Sequence, residues 1–259
     1  MATKNTILSK KDASLIEDLI VNYGRIVSFD QVKEVFSKKY TETSLKRRVS
    51  FLTKLGWFVR LKRGFYVIVT DIGSLSANDI SVYTMCKALN KDSYVSFENA
   101  LQYHGMFDQM LSGVGAVTFS RARRYKVKEI QIRFFKIKKE LYFGFSEERA
   151  DIGLVNIAEK EKALLDILYF RSSQYHANLI WEKLKNHKGI IDFELLKRYA
   201  LKFNLGIVRK IGFFLDHLGV ETEDLKKRVS GQKSYSKMTN KAKNFNAKWR
   251  LYVEDSVIE

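Results

Sequence analysis

Residues 43–63 gather side chains suited to recognising nucleic acid. Thr43, Ser44, Lys46, Arg47, Arg48, Ser50 and Lys54 come first, and Arg60, Lys62 and Arg63 follow. Arginine or lysine can donate two hydrogen bonds to the O6 and N7 of a guanine in the major groove. Hydroxyls and further cations bind phosphate oxygens and fix the register of a protein on its duplex. Arg47, Lys46 and Thr43 are candidates for base edges. Ser44, Arg48, Ser50 and Lys54 are candidates for phosphates. Arg60, Lys62 and Arg63 would reach phosphates or the neighbouring minor groove. The same residue types also suit a solvated helix beside a charged hairpin.

The elements that must carry these groups are legible around them. Leu45, Val49 and Leu52 fall at i, i+4 and i+7, one face of a helix. Thr43, Arg47, Ser50 and Lys54 fall on the opposite face, with Ser44, Lys46 and Arg48 on its flanks. Thr41 or Thr43 can cap this helix, and Gly56 stops it. Trp57–Val59 and Phe65–Val69 then read as two strands with Arg60–Gly64 as a charged tip, where Gly64 supplies a positive φ. Upstream, Lys11–Tyr23 is expected to be a helix with a Leu15, Ile16, Leu19, Ile20 stripe. Phe29–Lys39 is expected to be a second helix, opened by a Ser28/Gln31 capping box. Three helices and a hairpin in residues 1–70 predict a winged helix-turn-helix.

Charge points the same way. The 259 residues carry a net charge of +17, and residues 1–70 hold +8 of it. Such a balance implies a polyanionic partner, nucleic acid or an anionic surface. With 46% hydrophobic residues the chain can bury a substantial core. The single cysteine, Cys86, excludes an intrachain disulfide and a cysteine-built zinc site. No apolar run reaches the length of a membrane span or a signal-peptide core, so a cytoplasmic location with no membrane partner is expected.

The small polar stretch 71–78 is expected to be a boundary, with a second domain over 79–259. Its fold class is expected to be mixed α/β within an α+β whole. Strands are expected at about 116–157, helices at about 158–229, and a basic tail at 226–250. The alternation Val127, Ile130, Ile132, Phe134 changes phase at Phe135, which predicts a bulge or turn there. Leu141–Phe145 and Gly153–Ile157 are further strand candidates. The tail has nine Lys and Arg, no acid, and the polar composition of a mobile segment, although Trp249 and Tyr252 suggest docking at its end. It reads equally as a solvated strip or as a second polyanion contact.

The chemistry of catalysis is missing. There is no phosphate-binding Gly-rich loop, no nucleophile elbow, no paired carboxylates of nucleotidyl transfer and no histidine pairing for a metal. No enzyme activity, cofactor or metal is expected.

Several stretches together resemble one family, the AbiEi-type antitoxins of bacterial abortive-infection systems. LKRGFYV follows the predicted winged helix, and YVSFENALQYHG resembles the family's Tyr-x-Ser-x-x-Ala-Leu…His-Gly helix. IAEKEKALLDILYF is similar to its Ala-x-x-Glu-Lys-Ala-Leu-Leu-Asp helix. VRKIGFFLDHLG and KWRLYVED are similar to its later segments. The order is kept along nearly the whole chain. One departure is Glu159-Lys160 where the family commonly has proline. The resemblance implies a repressor of its own operon that binds double-stranded DNA at inverted repeats in the family's manner. It also implies a domain that counteracts a nucleotidyltransferase-like toxin in phage defence, with no stable complex required. The candidate antitoxin surface is Glu161, Lys162 and Asp166, with Arg121, Arg123 and Arg124, which could contact a toxin, RNA or DNA and equally suit a solvated basic loop. For the first three, a surface ion pair plus a helix–helix hydrogen bond that fixes the C-terminal domain is the competing reading. A ligand-responsive winged-helix regulator with no toxin partner is the alternative for the whole chain.

Overall fold

The computed structural model describes residues 8–70, 81–127, 129–254 and 257. The expected boundary at 71–78 lies outside these. The first elements are α1 (Lys10–Tyr23), β1 (Ile26–Ser28), α2 (Phe29–Phe36), α3 (Glu42–Leu55), β2 (Phe58–Lys62) and β3 (Phe65–Ile68). The capping box forms: Ser28 Oγ accepts the Gln31 N–H, and Gln31 Oε1 accepts the Ser28 N–H at 2.7 Å. α3 ends at Gly56, whose φ of 95° lies in the left-handed region. Leu45, Val49 and Leu52 are buried with Leu15, Leu19, Val32, Phe36 and Phe58 in one core, so the apolar face of α3 is the one its spacing predicts.

β1, β3 and β2 form an antiparallel sheet in that order. β2 runs through Arg60 to Lys62, with a register irregularity between them. The tip therefore shortens to Arg63-Gly64, and Arg60 and Lys62 are strand residues. Pleating gives the hairpin two apolar faces. Phe58 and Ile68 join the helical core, while Val59, Leu61 and Val67 enter a second core.

That second core is built by α4 (Val82–Leu89) and one face of a six-stranded sheet. The strands are β4 (Ser93–Val95), β5 (Gly113–Thr118), β6 (Arg123–Val127), β7 (Ile130–Lys136), β8 (Phe145–Ala150) and β9 (Gly153–Ala158), with α5 (Phe97–Tyr103) between β4 and β5. The order is β6-β7-β5-β4-β9-β8; β5/β7 and β4/β9 are parallel and the other pairs antiparallel. β7 pairs regularly on both sides. The phase change at Phe134-Phe135 is therefore not a bulge. Phe134 faces the α4 core and Phe135 the opposite core, so both are buried in a strand covered on both faces. Leu141–Phe145 is not a strand either. Lys139–Leu141 is a 3-10 turn, and β8 begins only at Phe145.

The sheet's other face is covered by α5, α6 (Lys160–Phe170), α7 (Gln174–Asn186), α8 (Phe193–Ala200) and α9 (Leu205–His217). α10 (Glu223–Val229) follows, then a small sheet of β10 (Ser236–Lys237), β11 (Asn244–Asn246) and β12 (Leu251–Val253). The tail is thus folded rather than mobile. Trp249 is fully buried against α9, where Gly212 leaves room for it: a Cβ there would lie 2.2 Å from the indole ring. Arg209 of α9 donates to Ser236 Oγ at 2.9 Å and to Ser234 O at 2.8 Å. The whole is α+β. No helix among the described residues is long and apolar enough to cross a membrane.

Candidate nucleic-acid interface

α3 turns its hydrophobic stripe inward, which leaves Thr43, Lys46, Arg47, Ser50 and Lys54 exposed. Lys46, Ser50, Thr53 and Lys54 line one wall of a groove of about 460 Å³; Arg60 of β2 and Tyr66 of β3 line the other, with Phe29 of α2 beside them. Arg60 and Tyr66 are directly paired across the hairpin, so their side chains share the face turned toward α3, the one that also carries Phe58 and Ile68. The groove is therefore cationic at its rims, with aromatic and aliphatic surface between. Arg47 and Arg63 are exposed, with no ion pair among the described residues. Lys46 meets Glu42 at 3.2 Å across one helical turn, and Glu42 also lies 3.9 Å from Lys33. Hydrogen bonding to Lys46 and the charge of Lys33 hold the Glu42 carboxyl below its usual range. Ser44 Oγ donates to Thr41 O at 3.0 Å and contacts Thr41 Oγ1, so it serves the first turn of the helix.

Two residues expected to touch nucleic acid are committed elsewhere. Arg48 is ion-paired with the fully buried Asp12 of α1, its Nε donating to Oδ1 at 2.8 Å. Tyr40 donates to the same carboxylate at 3.1 Å, and Ser9 donates as well. Arg48 therefore ties α3 to α1 instead of holding phosphate. Lys62 donates to Leu89 O at 3.0 Å and lies over the Phe65 ring, tying the hairpin to α4. Asp12 escaped the sequence reading because it lies 36 residues from its partner and nothing local marks it as buried.

Burial opposes ionisation of Asp12. Hydrogen bonds from Arg48, Ser9 and Tyr40 and the Arg48 charge outweigh it, so the carboxyl lies below its usual value of 3.8. A group with a depressed folded pKa contributes its stability above the unfolded pKa and loses it as pH falls through the folded one. Asp12→Asn is expected to cost about 1–3 kcal/mol at neutral pH, with the gap from the wild type closing below about pH 4. Denaturant melts across this range check it; a gap independent of pH contradicts the assignment.

The expected antitoxin residues separate into two groups. Arg121, Arg123 and Arg124 are exposed, the latter two on edge strand β6. Arg121 and Arg123 line a cleft of about 180 Å³ together with Lys62, Leu89 and Asn90. The structure thus brings the basic loop beside Lys62, at the tip end of the hairpin. Glu161, Lys162 and Asp166 are not surface residues at all. Lys162 and Asp166 are fully buried and ion-paired one helical turn apart on α6. Tyr94 donates to Asp166 at 3.0 Å, Ser96 donates to it at 2.8 Å, and Lys162 donates to the Tyr94 hydroxyl at 2.7 Å. The Lys162 ammonium also lies 5.1–5.5 Å from the rings of Tyr94, Phe143 and Phe203. Burial lowers its pKa, with Asp166 opposing that shift. Glu161 Oε1 accepts the Asp192 N–H at 2.8 Å and joins α6 to the start of α8. Lys162 and Asp166 thus pin α6 to β4 and Glu161 pins it to α8, which is why the motif contains charges that no solvent reaches.

An exposed cationic helix against an antiparallel hairpin, on a mixed sheet covered by helices, is the arrangement the comparisons have to match. No protein-family model matches the sequence, and no curated protein does. Among solved structures the chain is similar to RV2827C protein from Mycobacterium tuberculosis. The TM-score is 0.65 at 12% identity, over 96% of this chain and 92% of that one. At that identity the likeness is one of fold.

Proposed function

We propose that residues 1–70 are a winged helix-turn-helix that binds double-stranded DNA through α3. The chain would be an AbiEi-type antitoxin that represses its own operon and whose second domain, 79–259, counteracts a nucleotidyltransferase-like toxin. The observation that carries the DNA reading is the exposed face of α3. Its cations and hydroxyls stand clear of the core, and Arg60 extends them across a groove. Arg47, Lys46 and Thr43 face base edges. Ser50 and Lys54 hold phosphates, and Arg60 and Arg63 make the hairpin contact. Arg48 and Lys62 position these groups through Asp12 and Leu89. The antitoxin half rests on the sequence motifs, whose charged residues form the buried network around Asp166 rather than a contact surface. On this reading the exposed Arg121, Arg123 and Arg124 are the surface left for it.

Arg47→Ala is expected to cost about 1–3 kcal/mol at the operator and to relax one base position. Lys54→Ala is expected to weaken all duplexes alike and to lower the salt slope by about one. Binding titrations on operator and scrambled duplexes over a salt series separate the two. Identical behaviour of both variants on all sequences contradicts base readout by Arg47.

The cleft of Lys62, Arg121 and Arg123 supports a second reading, a regulator whose hairpin responds to a small anion seated there. A saturable rise in melting temperature with such an anion, lost in Arg123→Ala, would favour it.

A further inference from the structure

The C-terminal sheet carries an aromatic face that the DNA reading does not use. β12 lies between β10 and β11, with Lys237 opposite Tyr252 and Phe245 opposite Tyr252. Directly opposed residues point to the same side of a sheet. One side therefore presents Lys237, Tyr252 and Phe245 in a row. The other presents Ser236, Leu251 and Asn246, and there Leu251 is buried and Ser236 accepts from Arg209. Tyr235 completes the outward face: its ring centroid is 5.3 Å from that of Tyr252, and Phe245 is 5.0 Å from Tyr252 on the other side. Tyr235 is 60% exposed and Phe245 49% exposed, and the half-buried Tyr252 lies between them, so the three rings form one contiguous outward row. Their surroundings are cationic. Lys233, Lys237, Lys241 and Lys243 are exposed and enter no ion pair among the described residues, while Asp216 is occupied by Lys248 and Glu254, the residue after β12, is half-buried beside Lys241.

The geometry points to a stacking platform for the unpaired bases of a single-stranded nucleic acid. Every base offers a π-face that can lie on Tyr235, Tyr252 or Phe245, and the phosphates between bases are matched by the surrounding lysines. A duplex offers no such faces, because its bases are already stacked. A protein partner suits the surface less well, because the centres of protein interfaces are depleted in lysine, and here Lys237 stands in the aromatic row. The anchoring favours recognition too. Trp249 and Arg209 fix the sheet to α9, so the rings are held in place before a strand arrives. This site is remote in sequence from α3 and does not depend on the DNA reading.

The test uses the full-length protein with labelled oligo(U) and oligo(dT) of about 16 nucleotides, read by fluorescence anisotropy over a salt series. Tyr235→Ser/Phe245→Ser alters exposed rings only and leaves Trp249 in place. It is expected to lose affinity by about tenfold or more with the salt slope unchanged. Lys237→Ala/Lys243→Ala is expected to weaken binding and to flatten the slope. Binding of operator duplex should be unaltered by the serine variant, so failure of the α3 reading would show separately. Photocrosslinking of 5-iodouridine should map to peptides holding Tyr235, Phe245 or Tyr252, which a merely structural role would not produce. Wild-type affinity in the serine variant, absence of binding to both oligomers, or crosslinks confined to α3 would each overturn the proposal.

Discussion

Asp166→Ala is expected to destabilise the protein by about 3–5 kcal/mol, because it leaves the Lys162 ammonium charged and without its counterion in a fully buried site. Tyr94 and Ser96 lose their acceptor at the same time, which adds unsatisfied donors on β4 and the start of α5. Lys162→Met is expected to cost less. Asp166 would keep its two hydroxyl donors, and the three surrounding rings accommodate a thioether. The double variant Lys162→Met/Asp166→Ala removes both charges and should recover much of the loss. Urea midpoints of the four proteins form the cycle. Costs that simply add would show the pair to be uncoupled, against the account of this motif as an internal clamp. On the proposed antitoxin reading, any loss of antitoxicity in Asp166→Ala should follow stability and return in the double variant, since the residue is fully buried.

The second large effect is expected at Gly212. Alanine there would drive a methyl into the Trp249 ring, so the indole must leave its site or α9 must shift. We expect a loss of about 3 kcal/mol, expressed as rapid amide exchange across residues 234–253 while the N-terminal helices keep their protection. Trp249→Leu on the Gly212→Ala background relieves the clash, so the two substitutions should cost less together than their sum. Strict additivity, or unchanged exchange in the tail, would contradict the docking of this sheet through Trp249.

What could be read from the sequence followed local rules. The spacing of Leu45, Val49 and Leu52 and the Ser28/Gln31 pair are short-range signals, and the structure uses both as written. Readings failed where burial comes from distant chain. Phe134 and Phe135 break alternation because β7 is covered on both faces, and Leu61 and Val67 of the hairpin supply part of that cover. Glu161, Lys162 and Asp166 are residue types that belong in water. Only Tyr94, Ser96 and the Asp192 amide, all far along the chain, make their burial tolerable. Gly113 and Gly115 are too short a run for a nucleotide-binding loop. They are glycines for space: a Cβ on Gly115 would meet the Phe97 ring at 2.6 Å, and one on Gly113 would meet Gln131 O at 2.4 Å. The tail's polar composition hid a fold held by one tryptophan and one arginine. Of the candidate interface, the exposed face of α3 was legible. The diversion of Arg48 and Lys62 was not, because their partners are Asp12 and a backbone carbonyl.

The central claim is that α3 reads a DNA sequence, and a footprint on the DNA upstream of the protein's own gene tests it most directly. Wild type and Arg47→Glu are compared over a salt series. The account predicts discrete protected repeats with the wild type, lost in the variant while both proteins melt alike. Smooth, sequence-blind, salt-labile protection that survives Arg47→Glu would contradict it and leave α3 as an electrostatic surface only.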